Sequence, residues 1–184
     1  MHSTYKVRSR RFQQMLHWCE TVFDAKVQYH NPALAFLTYD DEHHRFAFAN
    51  LSLLQPEGSE TDRHSLIGVD HVAYTYASFN DLFENYARLK EKGISPYWCV
   101  HHGITVSMYC ADPDGNQMEF QVDSYSSSKD SNAFIKAHFS VNPIGVEYDP
   151  EDWLTRLRAG TPASEFAVRQ VQEPVSPIRG SIAS

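Results

Sequence analysis

The chain has 184 residues, of which 42% are hydrophobic and 13% aromatic, a composition typical of a globular protein with a substantial core rather than a disordered one. Its formal net charge of −7 argues against binding to nucleic acid or to an anionic membrane surface, and no apolar run approaches the ~20 residues of a membrane span. The amino terminus lacks the apolar segment of a secretory signal, and the three cysteines fall in predicted core elements. We therefore expect reduced thiols and a cytoplasmic location.

The first part of the chain predicts a strand, a helix and three further strands. The first strand covers Thr4–Ser9, and the helix covers Arg10–Phe23, where apolar residues recur at helical spacing. The three short strands are predicted at Lys26–His30, Leu34–Tyr39 and His44–Asn50. The polar stretch Gln55–Ser65, which Gly and Pro interrupt, indicates a connector.

The next part of the chain predicts the same order of elements again. A strand at Gly68–Tyr76 precedes a helix at about Phe79–Lys92, and a capping box that begins at Ser78 introduces this helix. The remaining strands of this part are predicted at Tyr97–Val100, Ile104–Cys110 and Gln117–Val122.

An offset of 67 residues superposes the two parts. It matches the apolar helix positions as Phe12 with Phe79, Leu16 with Phe83, Cys19 with Tyr86 and Val22 with Leu89. The same offset places His71 on Thr4. Each βαβββ unit alone would leave one sheet face bare. We therefore predict an α+β fold in which two βαβββ units, residues 1–54 and 66–123 of a domain 1–123, form a curved, cup-like mixed sheet.

The repeat ends at Asp123, and residues 124–184 are predicted to form a C-terminal extension. Its predicted elements are a linker at Ser124–Asp130 and helices at Asn132–Phe139 and Asp149–Ala159. The segment 142–157 is too apolar to stay bare in water, so we expect it to pack on the cup or at a homodimer interface. Residues 161–184 are rich in Pro, Ser and Gly and are predicted to be a flexible tail.

A predicted hairpin brings a tyrosine and a glutamate together. The sequence Asp-Pro-Asp-Gly at residues 112–115 favours a turn, because proline presets φ and glycine accepts a positive φ. With a loop from residue 112 to 116, Ala111 pairs with Gln117 and Tyr109 lies opposite Glu119, on the same face. A phenol beside a carboxylate within a sheet is unfavourable unless it is hydrogen-bonded or binds something. This pair therefore indicates a binding site.

These features together resemble a known family. The βαβββ repeat, the strand GVDHVAY at residues 68–74, the His102-Gly103 pair and the run from Tyr109 through the turn to Glu119 are similar to the vicinal oxygen chelate superfamily. Within it, the match is closest to the type I extradiol dioxygenases, which cleave catechols. The resemblance covers residues 4–122. It implies Fe(II), held by two imidazoles and one carboxylate, with open positions for a catecholate and O₂.

The resemblance implies metal ligands at His71 and Glu119. The position of the first ligand falls on Thr4, both by the family pattern and by the internal repeat. Threonine does not replace histidine as a ligand of a divalent metal. His2 lies two residues upstream with the same strand parity, so a register shift or a bulge would bring it to the metal as the third ligand.

The resemblance also implies three catalytic residues. His44 matches the family's acid/base histidine, Tyr109 the tyrosine that hydrogen-bonds a substrate oxygen, and His102 the histidine that contacts the catecholate. Each residue also has a purely structural interpretation. Tyr109 could be an ordinary core tyrosine, and Glu119 could lie on the solvated outer face of the sheet. His43, next to His44, is expected at the surface or in a position that supports His44.

Three functions stay open at this stage. The leading hypothesis is an Fe(II)-dependent extradiol dioxygenase acting on a catechol-like aromatic diol and O₂. The second is a metal-dependent isomerase or glyoxalase-type lyase. The third is a metal-free ligand-binding or natural-product tailoring protein. The set of His44, Tyr109 and His102 favours the first, whereas Thr4 favours the third, and the fold alone does not separate them.

Overall fold

The structure is a computed structural model that describes residues 3–7, 9–54, 68–111, 117–169 and 174–180. The chain divides into two compact units: Met1–Val72 with Ile178–Ser184, and Ala73–Pro177. The predicted connector, the predicted turn at residues 112–115 and the candidate ligand His2 lie outside the described residues.

The first unit builds its sheet from strands that are close in sequence. Its elements are β1 (Ser3–Val7), α1 (Ser9–Phe23), β2 (Lys26–His30), β3 (Leu34–Thr38), β4 (Phe46–Asn50), α2 (Leu51–Leu54) and the first residues of β5 (Gly68–Thr75). The strands lie in the order β2-β3-β4-β1-β5, with β1 parallel to β4 and antiparallel to β5. One face of α1 is apolar at helical spacing, and its buried residues Phe12, Leu16 and Cys19 pack against β3 and β4.

The second unit continues from the end of β5. Its further elements are α3 (Phe79–Lys90), β6 (Trp98–His101), β7 (Thr105–Ala111), β8 (Gln117–Asp123), α4 (Ser128–His138), β9 (Val146–Glu147), α5 (Pro150–Arg158) and α6 (Ala163–Phe166). The strands β8, β7, β6 and β9 lie side by side in that order, and each neighbouring pair is antiparallel. Each of the two units therefore contains the predicted βαβββ order.

Two helices of the second unit begin at capping boxes. The Asp81 backbone N–H donates to Ser78 Oγ at 3.1 Å, and the hydroxyl of Ser78 donates to the Asp81 carboxylate at 2.7 Å, which confirms the predicted start of α3. The same Ser-x-x-Asp arrangement at Ser127 and Asp130 begins α4. The prediction of a linker as far as residue 130 is therefore wrong, because this second cap starts the helix within the polar stretch.

The C-terminal extension completes the sheet and the core of the second unit. Strand β9 pairs with β6, with Val146 opposite His101. Leu154 of α5 and Phe166 of α6 pack with α3, β7 and β8 in one buried cluster. The expected packing of the segment 142–157 is thus confirmed within this unit. Beyond residue 161, where a flexible tail was predicted, Phe166, Arg169 and Ser176 are buried. The domain boundary at residue 124 stays a prediction.

The imidazole of His101 is buried at the end of β6. It is 2% exposed, and its Nδ1 accepts the backbone N–H of Gly103 at 3.0 Å. Burial, which disfavours the charged form, lowers the pKa of His101 from 6.5 to about 3. The folded protein therefore holds this ring neutral.

We predict that His101 makes the protein less stable as the pH falls below 6.5. The unfolded chain then binds a proton that the folded chain does not, so the free energy of unfolding falls by about 1.4 kcal/mol per pH unit through this residue until the pH nears the folded pKa. Urea unfolding across this pH range measures the effect. The stability of His101→Asn, which keeps an acceptor for Gly103, should fall less steeply.

The exposed His17, whose side chain is 83% accessible, provides the matched control. His17→Asn should keep the pH dependence of the wild type. The prediction is wrong if His101→Asn and His17→Asn lose stability with equal slopes.

Candidate active-site residues

A β-bulge places a carboxylate beside His71. In the pairing of β5 with β1, His71 lies opposite Thr4, but the register then shifts, so that Val69 lies opposite Tyr5 and Asp70 has no opposing residue. The extra residue changes the strict alternation of side chains between the two faces of the sheet. As a result Asp70 Oδ2 lies 2.8 Å from His71 Nδ1, although the two residues are adjacent in the chain.

This carboxylate determines which nitrogen of His71 carries the proton. An ionised carboxylate only accepts hydrogen bonds, so Nδ1–H of His71 donates to Asp70, and Nε2 of the neutral ring carries a lone pair. The Thr4 hydroxyl lies 3.2 Å from that Nε2 and donates to it. A histidine whose one nitrogen is held by a carboxylate is typical of metal ligands. Here, however, Thr4 uses the lone pair that a metal would need.

His44 belongs to a buried pair of histidines in the first unit. The Nδ1 atoms of His43 and His44 are 2.7 Å apart, so one of the two Nδ1 atoms carries a proton and donates a hydrogen bond to the other. The His44 ring also lies 5.1 Å from the ring of Phe36. The prediction that His44 lies in the strand is wrong, because His44 precedes β4. Of the two positions considered for His43, the supporting one holds, since His43 is only 4% exposed and contacts His44.

The predicted register of the hairpin is confirmed. Tyr109 of β7 lies opposite Glu119 of β8, and Ala111 lies opposite Gln117. Glu119 is 2% exposed, so the interpretation of a solvated outer face is wrong. A buried carboxylate needs a positive charge, a hydrogen-bond donor or a metal close by.

His102 joins Tyr109 and Glu119 in one group within the second unit. Its Nε2 lies 3.1 Å from the Tyr109 hydroxyl and 3.8 Å from Glu119 Oε1. Its Nδ1 donates to the carbonyl oxygen of Ile144. Because a carbonyl only accepts, the neutral ring carries its proton on Nδ1, and the Tyr109 hydroxyl donates to Nε2. The three candidate residues of this unit are therefore in one place.

The Trp98 ring packs against both Tyr109 and His102. The Trp98 ring stacks on Tyr109 at a centroid distance of 4.9 Å and meets His102 edge-on at 5.8 Å. The indole N–H of Trp98 donates to Ser176 Oγ at 2.9 Å. The partners Ile144 and Ser176 could not be predicted from the sequence, since neither follows from a local pattern.

The donors only partly match a divalent metal site. His71 is an imidazole with a suitable Nε2, and Glu119 is a buried carboxylate, so both are of the right chemical type. Thr4 contributes a hydroxyl where the family pattern has a third strong donor. Within residues 3–7, 9–54, 68–111, 117–169 and 174–180, no three His, Cys, Asp or Glu side chains form a group that could hold a metal ion.

The sequence of the chain is similar to a known superfamily and to two curated dioxygenases. The profile of the Glyoxalase/Bleomycin resistance protein/Dioxygenase superfamily matches residues 3–120. Biphenyl-2,3-diol 1,2-dioxygenase 2 of Rhodococcus globerulus is 40% identical over 161 residues, which are 87% of this chain and 83% of the relative. Biphenyl-2,3-diol 1,2-dioxygenase 3 of the same organism is 34% identical over 167 residues, 90% of this chain and 86% of that relative.

The fold of the chain is similar to solved structures of the same superfamily. The Mn(II)-bound glyoxalase from Novosphingobium aromaticivorans matches with a TM-score of 0.53 and 26% identity. The match covers 66% of this chain but only 36% of that longer chain. The protein thus has the vicinal oxygen chelate fold, as predicted. It belongs to the glyoxalase/bleomycin resistance protein/dioxygenase superfamily. In the part of the chain that the structure describes, no helix has both the length and the apolar character to cross a bilayer.

We predict that Thr4→His strengthens the binding of a divalent metal by more than about 100-fold. Loss of a residue that only hydrogen-bonds to a metal ligand already weakens metal binding by about 10–100-fold, and a direct ligand should have a larger effect. The substitution removes the hydroxyl that occupies His71 Nε2 and adds an imidazole beside it. Anaerobic titration with Fe(II), followed by elemental analysis, measures the effect.

Thr4→Val is the control at the same position, since it removes the hydroxyl without adding a ligand. It should bind metal far more weakly than Thr4→His. A wild-type protein that already holds one equivalent of Fe(II) tightly would contradict the prediction and indicate that another group, such as His2, is the missing ligand.

Proposed function

We propose that this protein is a metal-dependent, extradiol-type dioxygenase that acts on a catechol-like aromatic diol and O₂. The observation that carries the proposal is the group formed by the half-buried His102 with the buried Tyr109 and Glu119, since its residue types suit a catecholate. The 40% identity to a protein named as a biphenyl-2,3-diol dioxygenase supports it.

We propose His71 and Glu119 as the metal ligands, with His2 as the third. Asp70 keeps the proton of His71 on Nδ1, so that Nε2 is the nitrogen that ligates. The buried carboxylate of Glu119 contributes the negative charge that a divalent cation needs. When bound, such a metal supplies Lewis-acid and redox chemistry toward the substrate oxygens and O₂. We propose iron as this metal.

Tyr109 and His102 are proposed to orient the substrate. The Tyr109 hydroxyl donates to His102 Nε2 in this structure, and rotation of the phenol O–H would instead direct it to a substrate oxygen. His102 Nε2 would then accept a proton or a hydrogen bond from the diol, since its Nδ1–H stays on the Ile144 carbonyl. His44 is proposed as the general acid/base, because an imidazole can transfer a proton near neutral pH.

A second function is favoured by one observation. The hydrogen bond from Thr4 to His71 Nε2 satisfies this ring without a metal. A protein with this arrangement could bind an aromatic ligand, or catalyse proton transfer, with no metal. Metal content and O₂ consumption separate the two functions, because only the dioxygenase requires both.

A cytoplasmic location and a homodimer complete the proposal. The free thiols of Cys19, Cys99 and Cys110 support the proposed cytoplasmic location, because thiols stay reduced there. Size-exclusion chromatography with light scattering tests the dimer.

We predict that the protein loaded anaerobically with Fe(II) consumes O₂ when biphenyl-2,3-diol or a smaller catechol is added. One equivalent of O₂ per diol, together with the absorbance of a ring-opened product, is the expected result. Resorcinol is the control, since its hydroxyls are not vicinal and cannot chelate one metal. Tight binding of catechols without any O₂ uptake would contradict the proposal and favour the metal-free function.

We predict that His44→Ala lowers turnover by roughly 10²–10⁴-fold, the usual contribution of a positioned proton-transfer group, and leaves metal content unchanged. Tyr109→Phe should have a smaller effect, because a hydrogen bond to a charged oxygen contributes about 1.5–3 kcal/mol. Steady-state O₂ uptake measures both variants.

Tyr97→Phe is the matched control for Tyr109→Phe. It removes a tyrosine hydroxyl that donates to Gln117 Oε1 at 2.8 Å and keeps the ring, whose centre lies 6.4 Å from that of Tyr109. It should retain activity. Full activity of His44→Ala would refute the acid/base role. Equal loss of metal and activity in His44→Ala and Tyr109→Phe would mean that these residues only maintain the fold.

A further inference from the structure

The guanidinium of Arg169 is buried in the second unit. The residue is 3% exposed, and its Cζ lies 4.8 Å from the centre of the Phe134 ring. Its Nη1 donates to two backbone carbonyl oxygens, those of His102 at 3.0 Å and of Asn142 at 3.1 Å. Among the described residues, its Nε and Nη2 have no hydrogen-bond partner. Burying a cation with so few partners is unfavourable, so its presence at this position calls for a functional explanation.

The two carbonyls belong to the two loops that determine the position of the His102 ring. One loop carries His102 itself. The other is a turn that the Asn142 side chain organises: its Oδ1 accepts from the backbone N–H groups of Ile144 and Gly145 at 3.1 and 2.7 Å, and its Nδ2 donates to the Gly145 carbonyl at 3.0 Å. This turn presents the Ile144 carbonyl to His102 Nδ1. Arg169 therefore bonds to the loop that carries the donor, His102, and to the turn that carries the acceptor, the Ile144 carbonyl.

Close packing of both loops leaves no room for side chains at two glycines. A Cβ at Gly103 would lie 2.1 Å from Phe134 Cε1, and a Cβ at Gly145 would lie 2.5 Å from the His101 carbonyl oxygen. Both glycines also have a positive φ, 98° and 127°. The turn at Gly145 therefore packs against the backbone of His101 and His102, and Gly103 packs against the Phe134 ring of helix α4. The Arg169 guanidinium bonds to both loops.

We infer that Arg169 is a positioning residue for His102, and this inference rests on the function proposed for His102. By holding the loop of His102 and the turn at Asn142, Arg169 keeps the Ile144 carbonyl on Nδ1. The neutral ring then has its proton on Nδ1 and its lone pair on Nε2, toward Tyr109 and the substrate. The C-terminal extension thereby determines the tautomer of a residue in the proposed site.

Replacement of Arg169 by methionine tests the inference, because methionine retains an unbranched side chain over Phe134 but has no donor. The primary measurement is the tautomer of His102, read from the ring ¹⁵N shifts of histidine-labelled protein, with His102→Asn used for assignment. In Arg169→Met we expect a measurable population of the Nε2–H tautomer, which the wild type lacks. In the Fe(II)-loaded enzyme we expect kcat/KM to fall by about 10–100-fold at unchanged metal content.

Two further variants separate positioning from general stability. Arg169→Lys retains a cation with several donors, so it should restore the Nδ1–H tautomer at least in part. Phe166→Leu is the matched control, since it removes buried volume from the same extension without touching either loop. It should lower the melting temperature and leave the tautomer unchanged. The inference is overturned if folded Arg169→Met keeps His102 wholly as Nδ1–H.

Asn142→Ala provides the second test and decides the matter if Arg169→Met does not fold. It disrupts the turn that presents the Ile144 carbonyl and leaves Arg169 in place. The same shift toward Nε2–H supports the inference, and an unchanged tautomer refutes it. Because the NMR measurement needs no substrate, a wild type without O₂ uptake would refute the proposed function, while the tautomer would still decide the role of Arg169.

Discussion

A polar group can be buried in a protein only where another polar group or an ion meets it, and this constraint governs the candidate residues of this protein. Glu119 is almost completely buried, and His102 and Tyr109 lie beside it. His71 is enclosed in the same way, by a carboxylate on one ring nitrogen and a hydroxyl on the other. These neighbours determine where each proton lies, and therefore what chemistry each residue can perform.

The proposed metal-dependent function and the metal-free function differ in what occupies the lone pair of His71 Nε2. His71 Nε2 can accept the Thr4 hydroxyl or bind a metal, but not both at once. Asp70 favours both interactions, because it keeps the proton of His71 on Nδ1 and leaves Nε2 free of a proton. A threonine in place of a third strong ligand does not remove the other donors. It provides a hydrogen bond that His71 can make without a metal, in a chain whose family includes dioxygenases.

The C-terminal extension is part of the second unit's structure and not an appendage to it. It adds a strand next to β6, contributes Leu154 and Phe166 to the core, and supports Trp98 through Ser176. Arg169 belongs to the same segment and contacts the loop of His102. In this chain part of the surroundings of a proposed catalytic residue, the Ile144 carbonyl and Arg169, therefore comes from residues outside the matched family region, which ends at residue 120.

The order of elements, the cap of α3 and the pairing of Tyr109 with Glu119 could be predicted because each depends on residues close in sequence. The internal repeat matched Thr4 with His71 as equivalent positions, but it did not predict that the two residues lie opposite each other. The cap of α4 could have been predicted by the same reasoning. The bulge at Asp70 and the contact of Arg169 with the His102 carbonyl could not. The sequence by itself determined the elements of the two repeats and which residue types are available, but not the short elements α2, β9 and α6. Only the tertiary structure decided which partner each buried group has, because those partners come from distant segments that packing brings together.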